Sequence, residues 1–409
     1  MKDVASHAEV LAETSTWPSS LLGEIVDVLD SKRKPITKRD RVAGPHPYYG
    51  ATGVLDMVEG YLFDEPLVLI GEDGAKWGAG DQSAFAISGK TWVNNHAHVL
   101  RPRRDRILDD WLIYYLNAAD LSEFISGMTV PKLNQGRLRE IPIPLPPLEE
   151  QKRIVAVLDQ AFAALNRARA HAEANLADAQ LLFEYQAAEI FQALKRKHPA
   201  RRTVADVAGS AKGSIRTGPF GSQLLHSEFV DNGIAVLGID NAVANEFRWA
   251  KRRYITEEKF RQLSRYTVHP GDVIITIMGT CGRCAVIPDD IPLAISTKHL
   301  CCITLDSAKC LPDYLHRYFL LSPAAREYLA ARASGSIMDG LNMGVIKEMP
   351  ISVPSLKTQD DVVSEIAKIE DGTQSIAINY KEQIHNLDTL RQSILQKAFS
   401  GELKGSIRV

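Results

Sequence analysis

Cys281-Gly-Arg-Cys284 has the spacing of half a zinc site, and Cys301-Cys302 follows it. Two adjacent cysteines suit one tetrahedral ion poorly, so zinc is not expected. All five cysteines lie between Cys281 and Cys310. An odd number in one region fits free thiols in a reducing cytoplasm, not a disulfide framework. Glu72 and Asp73 in "IGEDG" read as turn residues, because no lysine-flanked carboxylate pair accompanies them as a nuclease centre would need. The segment "PHPYYG", residues 45–50, comes nearest to the Asn/Asp-Pro-Pro-aromatic motif of an adenine methyltransferase. It lacks both the leading amide or acid and the adjacent prolines. Neither a glycine-rich cofactor turn nor a Walker-type phosphate loop is present. His96 and His299 follow apolar segments at equivalent places, and buried structural histidines are expected there in preference to catalytic ones. The chain is expected to catalyse nothing.

Local charge carries more information than the formal net charge of −2. The run "SKRKPITKRDR" sets Lys32, Arg33, Lys34, Lys38, Arg39 and Arg41 against one acid, Asp40. Such a loop suits phosphate contacts, which give affinity without sequence information; a solvated surface loop is the alternative. In the second half, Lys212 and Arg216 precede "TGPFGSQ" with Ser222 and Gln223, and Lys251, Arg252 and Arg253 stand beside Tyr254. Gly218 and Gly221 would let backbone approach a phosphate, or would simply make a tight turn. In "SGMTVPKLNQGRL", Lys132, Gln135 and Arg137 include side chains able to read purine edges. The Leu-Asn pair within it recurs in "SGSIMDGLNMGVIK", so Asn134 and Asn342 are expected to bond backbone in a structural turn shared by both halves.

These residues sit in a duplicated chain. Glu140-Ile-Pro-Ile-Pro-Leu-Pro146 aligns with Glu348-Met-Pro-Ile-Ser-Val-Pro354 at an offset of 208 residues. Leu133-Asn134, Gly136, Arg139 and Gln151 then meet Leu341-Asn342, Gly344, Lys347 and Gln359. The same offset sets Gly71 and Gly74 on Gly279 and Gly282. In between, an offset of 203 sets His96 on His299 and Asp110-Trp111-Leu112 on Asp313-Tyr314-Leu315. Each copy is a mixed α/β domain, a proline-rich exit and a long helix.

Narrow apolar stripes predict the helices as coiled-coil seams. The first runs through Ile154, Leu158, Ala161, Leu165, Ala168, Ala172, Leu176, Ala179, Phe183, Ala187, Ile190 and Leu194. The second runs through Val362, Ile366, Ile369, Thr373, Ile376, Tyr380, Ile384, Leu387, Ile394 and Ala398. Gly401 is the expected C-terminal cap. Ala170, Ala174 and Ala177, with Ala168 and Ala172, offer a small face for partner helices or for the seam itself. The chain of 409 residues is 45% hydrophobic. It has neither a membrane-spanning apolar run nor a secretory leader pattern, so no membrane partner and a cytoplasmic location are expected.

"IPIPLPPLEEQKRIVAVLD", "MPISVPSLKTQDDVVSEI", "LRQSILQKAFSGEL", "IRTGPFGSQL" and "HPYYGATGVLD" resemble the specificity subunits of type I restriction-modification systems. The likeness covers nearly the whole chain after about residue 17. It implies an α+β fold: two repeated α/β target-recognition domains separated by a long antiparallel two-helix coiled coil. The expected boundaries are 17–147 and 199–355 for the domains, and 148–198 and 356–400 for the helices. The resemblance further implies a double-stranded DNA partner with an asymmetric bipartite site, the helices setting its spacer. Two modification subunits would methylate adenine, and restriction subunits would translocate and cleave. S-adenosylmethionine and ATP would bind on those partners, with no cofactor in this chain.

Overall fold

The computed structural model describes residues 16–127, 129–249, 251–333 and 341–403. The first copy runs β1 (Ser19–Leu21), α1 (Leu22–Ile25), β2 (Val26–Val28), β3 (Ala43–Gly50), β4 (Gly53–Val58), β5 (Phe63–Asp64), β6 (Leu67–Gly71), β7 (Ala84–Ile87), β8 (Lys90–Val93) and β9 (Ala97–Pro102). Then come α2 (Asp109–Ala118), β10 (Ile125–Ser126), β11 (Lys132–Leu133), α3 (Gln135–Arg139), β12 (Pro142–Pro144) and the long α4 (Leu148–Lys197). The second copy has β13 (Arg202–Thr203), α5 (Val204–Val207), β14 (Ile215–Thr217), β15 (Ile234–Leu237), β16 (Tyr254–Ile255), α6 (Glu257–Leu263), β17 (Thr267–Val268), β18 (Val273–Thr276), β19 (Cys284–Val286), β20 (Ala294–Ser296) and β21 (Leu300–Ile303). It ends with α7 (Pro312–Leu321), α8 (Pro323–Ala333), α9 (Met343–Glu348), β22 (Pro350–Ile351) and α10 (Leu356–Ser400).

The four-stranded sheets repeat strand for strand. Order β2-β9-β6-β7 in the first domain is matched by β14-β21-β18-β19 in the second, and β4-β3-β8-β5 by β16-β15-β20-β17. The second sheet of each domain holds one parallel pair, β3 with β8 and β15 with β20. "LVLIG" and "VIIT" are continuous apolar runs because both of their faces are covered. Val68 and Ile70 enter one core with Trp111, while Leu67 and Leu69 enter another.

Backbone bonds refine the alignment. Glu72 N–H donates to His96 O at 2.8 Å, and Ile277 N–H to His299 O at 2.9 Å. Glu72 therefore matches Ile277, so β6 and β18 align three residues away from the expected register. Gly71 falls on Thr276, not on Gly279. Gly74 falls on Gly279 instead, and both have left-handed φ, +70° and +73°.

The proline exits are strands: β12 pairs antiparallel with β1, and β22 with β13. Trp111 Nε1 donates to Pro144 O at 2.9 Å, and its counterpart Tyr314 Oη donates to Ser352 O at 2.6 Å. The fourth residue of each long helix is a fully buried glutamine. Gln151 accepts from Leu108 N–H through Oε1 and donates through Nε2 to Arg106 O and Pro146 O, each at 2.9 Å. Gln359 accepts from Leu311 N–H at 2.9 Å and donates to Lys309 O at 2.9 Å and Pro354 O at 3.0 Å.

The described residues form two compact units: those up to Ala174 with those from Lys381, and residues 175–380 between. Each long helix contributes to both. In the first unit α4 and α10 are antiparallel, with Arg391 Nη1 at 3.3 Å from Asn166 Oδ1 and Arg169 paired with Asp388. Phe399 of α10 packs edge-on against Trp111, ring centroids 4.8 Å apart. In the second unit Phe191 and Leu194 of α4 share a core with Val362 and Ile366 of α10.

Every α4 seam residue is buried or half-buried. In α10 Ile376 departs: it is exposed, and Ala377 turns inward beside it. Ala168 and Ala172 belong to the covered face, whereas Ala170, Ala174 and Ala177 are exposed. Gly401 has φ +81°, and an added Cβ would lie 2.0 Å from Thr16 Oγ1, so only glycine fits that cap. No helix of the described residues is long and apolar enough to cross a membrane.

Candidate nucleic-acid interface

The basic run forms a loop between β2 and β3 that is pinned along its length. Lys34 N–H donates to Val93 O at 3.2 Å, and Trp92 Nε1 donates to Lys34 O at 2.6 Å. Ile36 N–H donates to the buried Tyr48 hydroxyl at 2.9 Å. Arg41 lies 4.4 Å from the Tyr48 ring centroid and pairs with Asp56 at 3.2 Å. Lys32, Lys34, Lys38 and Arg39 point outward, exposed. A loop held this way loses little freedom on meeting a ligand.

Arg33 does not join them. Its side chain is 13% exposed, and Nη1 lies 2.5 Å from Glu72 and 2.7 Å from Ala97 O. Glu72 also takes Lys132 at 2.8 Å, and Asp30 takes Gln135 Nε2 at 3.1 Å. This charged cluster brings three expected DNA-contact residues, Arg33, Lys132 and Gln135, to one place in the fold. Arg33 is committed there to carboxylates instead of facing outward. Arg137 stays exposed, paired with Glu140 at 3.1 Å.

The cluster centres on a histidine that the motifs did not reveal. His98 is fully buried in β9, with Nε2 at 2.6 Å from Leu133 O and Nδ1 at 2.6 Å from Asp30. A carbonyl only accepts, so Nε2 is the donor to Leu133 O, and Nδ1 faces the Asp30 carboxyl. Burial alone would raise the Asp30 carboxyl, but the His98 hydrogen bond and charge, the Val99 amide and Arg33 hold it below its usual range. Glu72 is likewise lowered: burial opposes, and bonds from Lys132 and Arg33 outweigh it. Asp30, Glu72 and His98 have metal-ligand types close together, yet Arg33 and Lys132 already neutralise the carboxylates.

His96 and His299 differ from expectation. His96 is exposed and lies 2.5 Å from Asp73, and His299 is half-buried. Burial, Lys298 and Arg253 push the His299 ring below its ordinary range. Alternation in "HAHVL" would set His98 outward with His96; it is buried because both faces of β9 are covered.

In the second domain the loop after β14 occupies the same topological place as the basic loop. Gly218 is buried, and a Cβ there would meet Ser296 O at 2.1 Å. Gly221 has φ +59° with open space around it. Both glycines thus serve backbone packing and turning. Phe220 is exposed at the tip with Ser222 and Gln223; Gln223 Oε1 accepts from Tyr266 Oη at 2.8 Å. Arg216 turns inward, 10% exposed, pairing with the 1% exposed Asp272 at 2.6 Å. Its phosphate role is replaced by a structural one. Lys212, Lys251 and Arg252 are exposed, and Arg253 pairs with Asp240 at 3.0 Å. Arg252 lies 5.2 Å over the exposed Trp249 ring, a cation–π platform that "FRWAKRRY" could have suggested.

The β3–β4 hairpin, "HPYYGATGVLD", also went unrecognised as a surface. Val54, Leu55 and Met57 are exposed there and Tyr61 just beyond it, with Lys90 Nζ 4.9 Å over the Tyr61 ring.

The repeated Leu-Asn turn divides. Asn342 caps α9, accepting from Val345 N–H at 3.0 Å, whereas Asn134 donates to Ser126 Oγ at 2.6 Å. Residues 334–340 of its second copy, and Met128 of the first, lie outside the described residues. Cys301 and Cys302 are consecutive strand residues that enter different cores, so they cannot serve one ion. Burial pushes the Cys301 thiol up to about 12.

Two copies of one α+β domain, each presenting a chemically different loop from the same point of its fold, define a two-headed recognition protein. A model of the Type I restriction modification DNA specificity domain matches residues 14–174 and 229–386. The chain belongs to that family and is a type I specificity subunit. It is 29% identical over 379 residues to S.HindORF215P of Haemophilus influenzae, named a candidate type I restriction enzyme specificity subunit, covering 92% of this chain and 93% of that one. The MjaVIII specificity subunit of Methanocaldococcus jannaschii is 20% identical over 417 residues, covering 95% and 93%. Among solved structures, a chain from work on complex assembly and conformational transition of the type I R-M system shares the fold. Its TM-score is 0.69 at 17% identity, covering 95% of this chain and 98% of that one. The HsdS subunit of Thermoanaerobacter tengcongensis gives 0.52, also at 17% identity, covering 95% and 97%.

Proposed function

We propose that each domain reads one half of an asymmetric bipartite site in double-stranded DNA, with the spacer set by the long helices. The carrying observation is the pair of unlike loops, "SKRKP" and "GPFGSQ", at one topological position in two otherwise matching domains. Equivalent scaffolds with different contact chemistry favour unlike half-sites. Exposed Lys32, Lys34, Lys38, Arg39, Lys212, Lys251 and Arg252 supply phosphate contacts. Modification subunits then methylate adenine, restriction subunits cleave, and this chain contributes recognition without chemistry of its own.

Methylation mapping in cells carrying the chain with its modification subunit tests this. Two unlike half-sites around a constant gap are expected; a single contiguous motif would overturn the two-reader arrangement. The phosphate assignment has its own check. Lys34→Ala should weaken DNA binding evenly across sequences and reduce the log–log salt slope by about 0.9. An unchanged slope removes Lys34 from the interface.

A further inference from the structure

A buried glutamine recurs in the first turn of each long helix. Gln151 and Gln359 each bond three backbone groups from two segments: the loop entering α2 or α7, and the proline exit at Pro146 or Pro354. The side chains stand in the first turns of α4 and α10, fully buried. Trp111 and Tyr314 hold the same proline exits through Pro144 O and Ser352 O. Domain, exit strand and helix are thereby locked at one angle, twice, by the same bonds.

We infer that Gln151 and Gln359 are positioning residues that make the spacer of the DNA target strict. This rests on the two-reader function above. The physical reason is leverage. From Gln151, α4 continues to Lys197, about 70 Å at 1.5 Å per residue. A tilt of about 5° at the clamp would displace the far end by about 6 Å, nearly two base-pair steps of about 3.4 Å. A junction looser by a few degrees would therefore accept targets one base pair longer or shorter. Three hydrogen bonds, the one to the proline exit buried and two part-buried, suppress that tilt, because it would break them together.

The test maps methylated sites for the full chain with its modification subunit, comparing wild type with Gln151→Met and Gln359→Met. Methionine keeps the length and removes all three bonds. The expected result is unchanged half-site sequences, with methylation at spacers one base pair longer or shorter raised about tenfold, the scale of one buried hydrogen bond. Tyr314→Phe, which removes only the hydroxyl bond to Ser352, should relax spacing in the same direction by less. Should Gln359→Met fail to fold, Tyr314→Phe decides for that junction, and Gln151→Met for the other. Spacing as strict as wild type in the folded variants overturns the inference, even where the melting temperature falls, since a merely structural residue would behave that way. A wild-type map with no bipartite motif would instead overturn the underlying two-reader function.

Discussion

Arg216→Met is expected to destabilise the second domain by about 3–5 kcal/mol, the usual cost of orphaning a buried charge. The guanidinium donates to Asp272 Oδ2 at 2.6 Å, to Thr304 Oγ1 at 2.8 Å and to Thr267 O at 2.5 Å. Those partners lie on strands or strand ends of both sheets, so one side chain ties the sheets together. Asp272 would keep bonds from Thr304 Oγ1 at 2.6 Å and from the His269 amide at 2.8 Å, which places the loss toward the lower end of that range. Thermal or denaturant unfolding of the full chain measures it. Pairing the change with Asp272→Leu should recover part of the loss, because the stranded carboxylate goes too. A phosphate contact would behave oppositely. If Arg216→Met leaves stability within about 0.5 kcal/mol and lowers the salt slope of DNA binding, the buried-pair assignment fails.

Removing one heptad from each long helix, at facing positions, is expected to shorten the spacer by about three base pairs. Asn166 faces Arg391 and Arg169 faces Asp388, so residues 167–173 face 384–390. Deleting both stretches keeps the antiparallel seam in register while shortening each helix by about 10 Å. At about 3.4 Å per base pair, that matches about three base pairs. Methylation mapping reads the outcome directly: the original site should be lost and a shorter one gained. An unchanged spacer would end the idea that helix length measures DNA.

Much of this was legible in the chain because it is written twice. Offsets of 208 and 203 pointed to equivalent residues, and the Gln151 and Gln359 clamps, with Trp111 and Tyr314, join segments carrying just those two offsets. Seam periodicity predicted the covered face of α4, since a helix must bury a stripe of period near 3.6. What failed to show was partner choice. Charge type marks Arg33 and Arg216 as candidate phosphate ligands, but only the fold reveals Glu72 and Asp272 beside them. His98 escaped because its partners, Asp30 and Leu133, are distant in the chain. The β6 register slipped for a related reason. Glycines were matched to glycines, whereas the backbone ladder counts residues, and Gly71 has no glycine counterpart.

The edge-on packing of Phe399 against Trp111 and Tyr115 bears on how the chain is made. Leu395, Ala398 and Phe399 complete the core of a domain whose other residues leave the ribosome first. The second unit contains nothing beyond Tyr380. Synthesis order and completion order therefore run opposite ways: the first domain waits, with part of its core uncovered, until α10 has been translated.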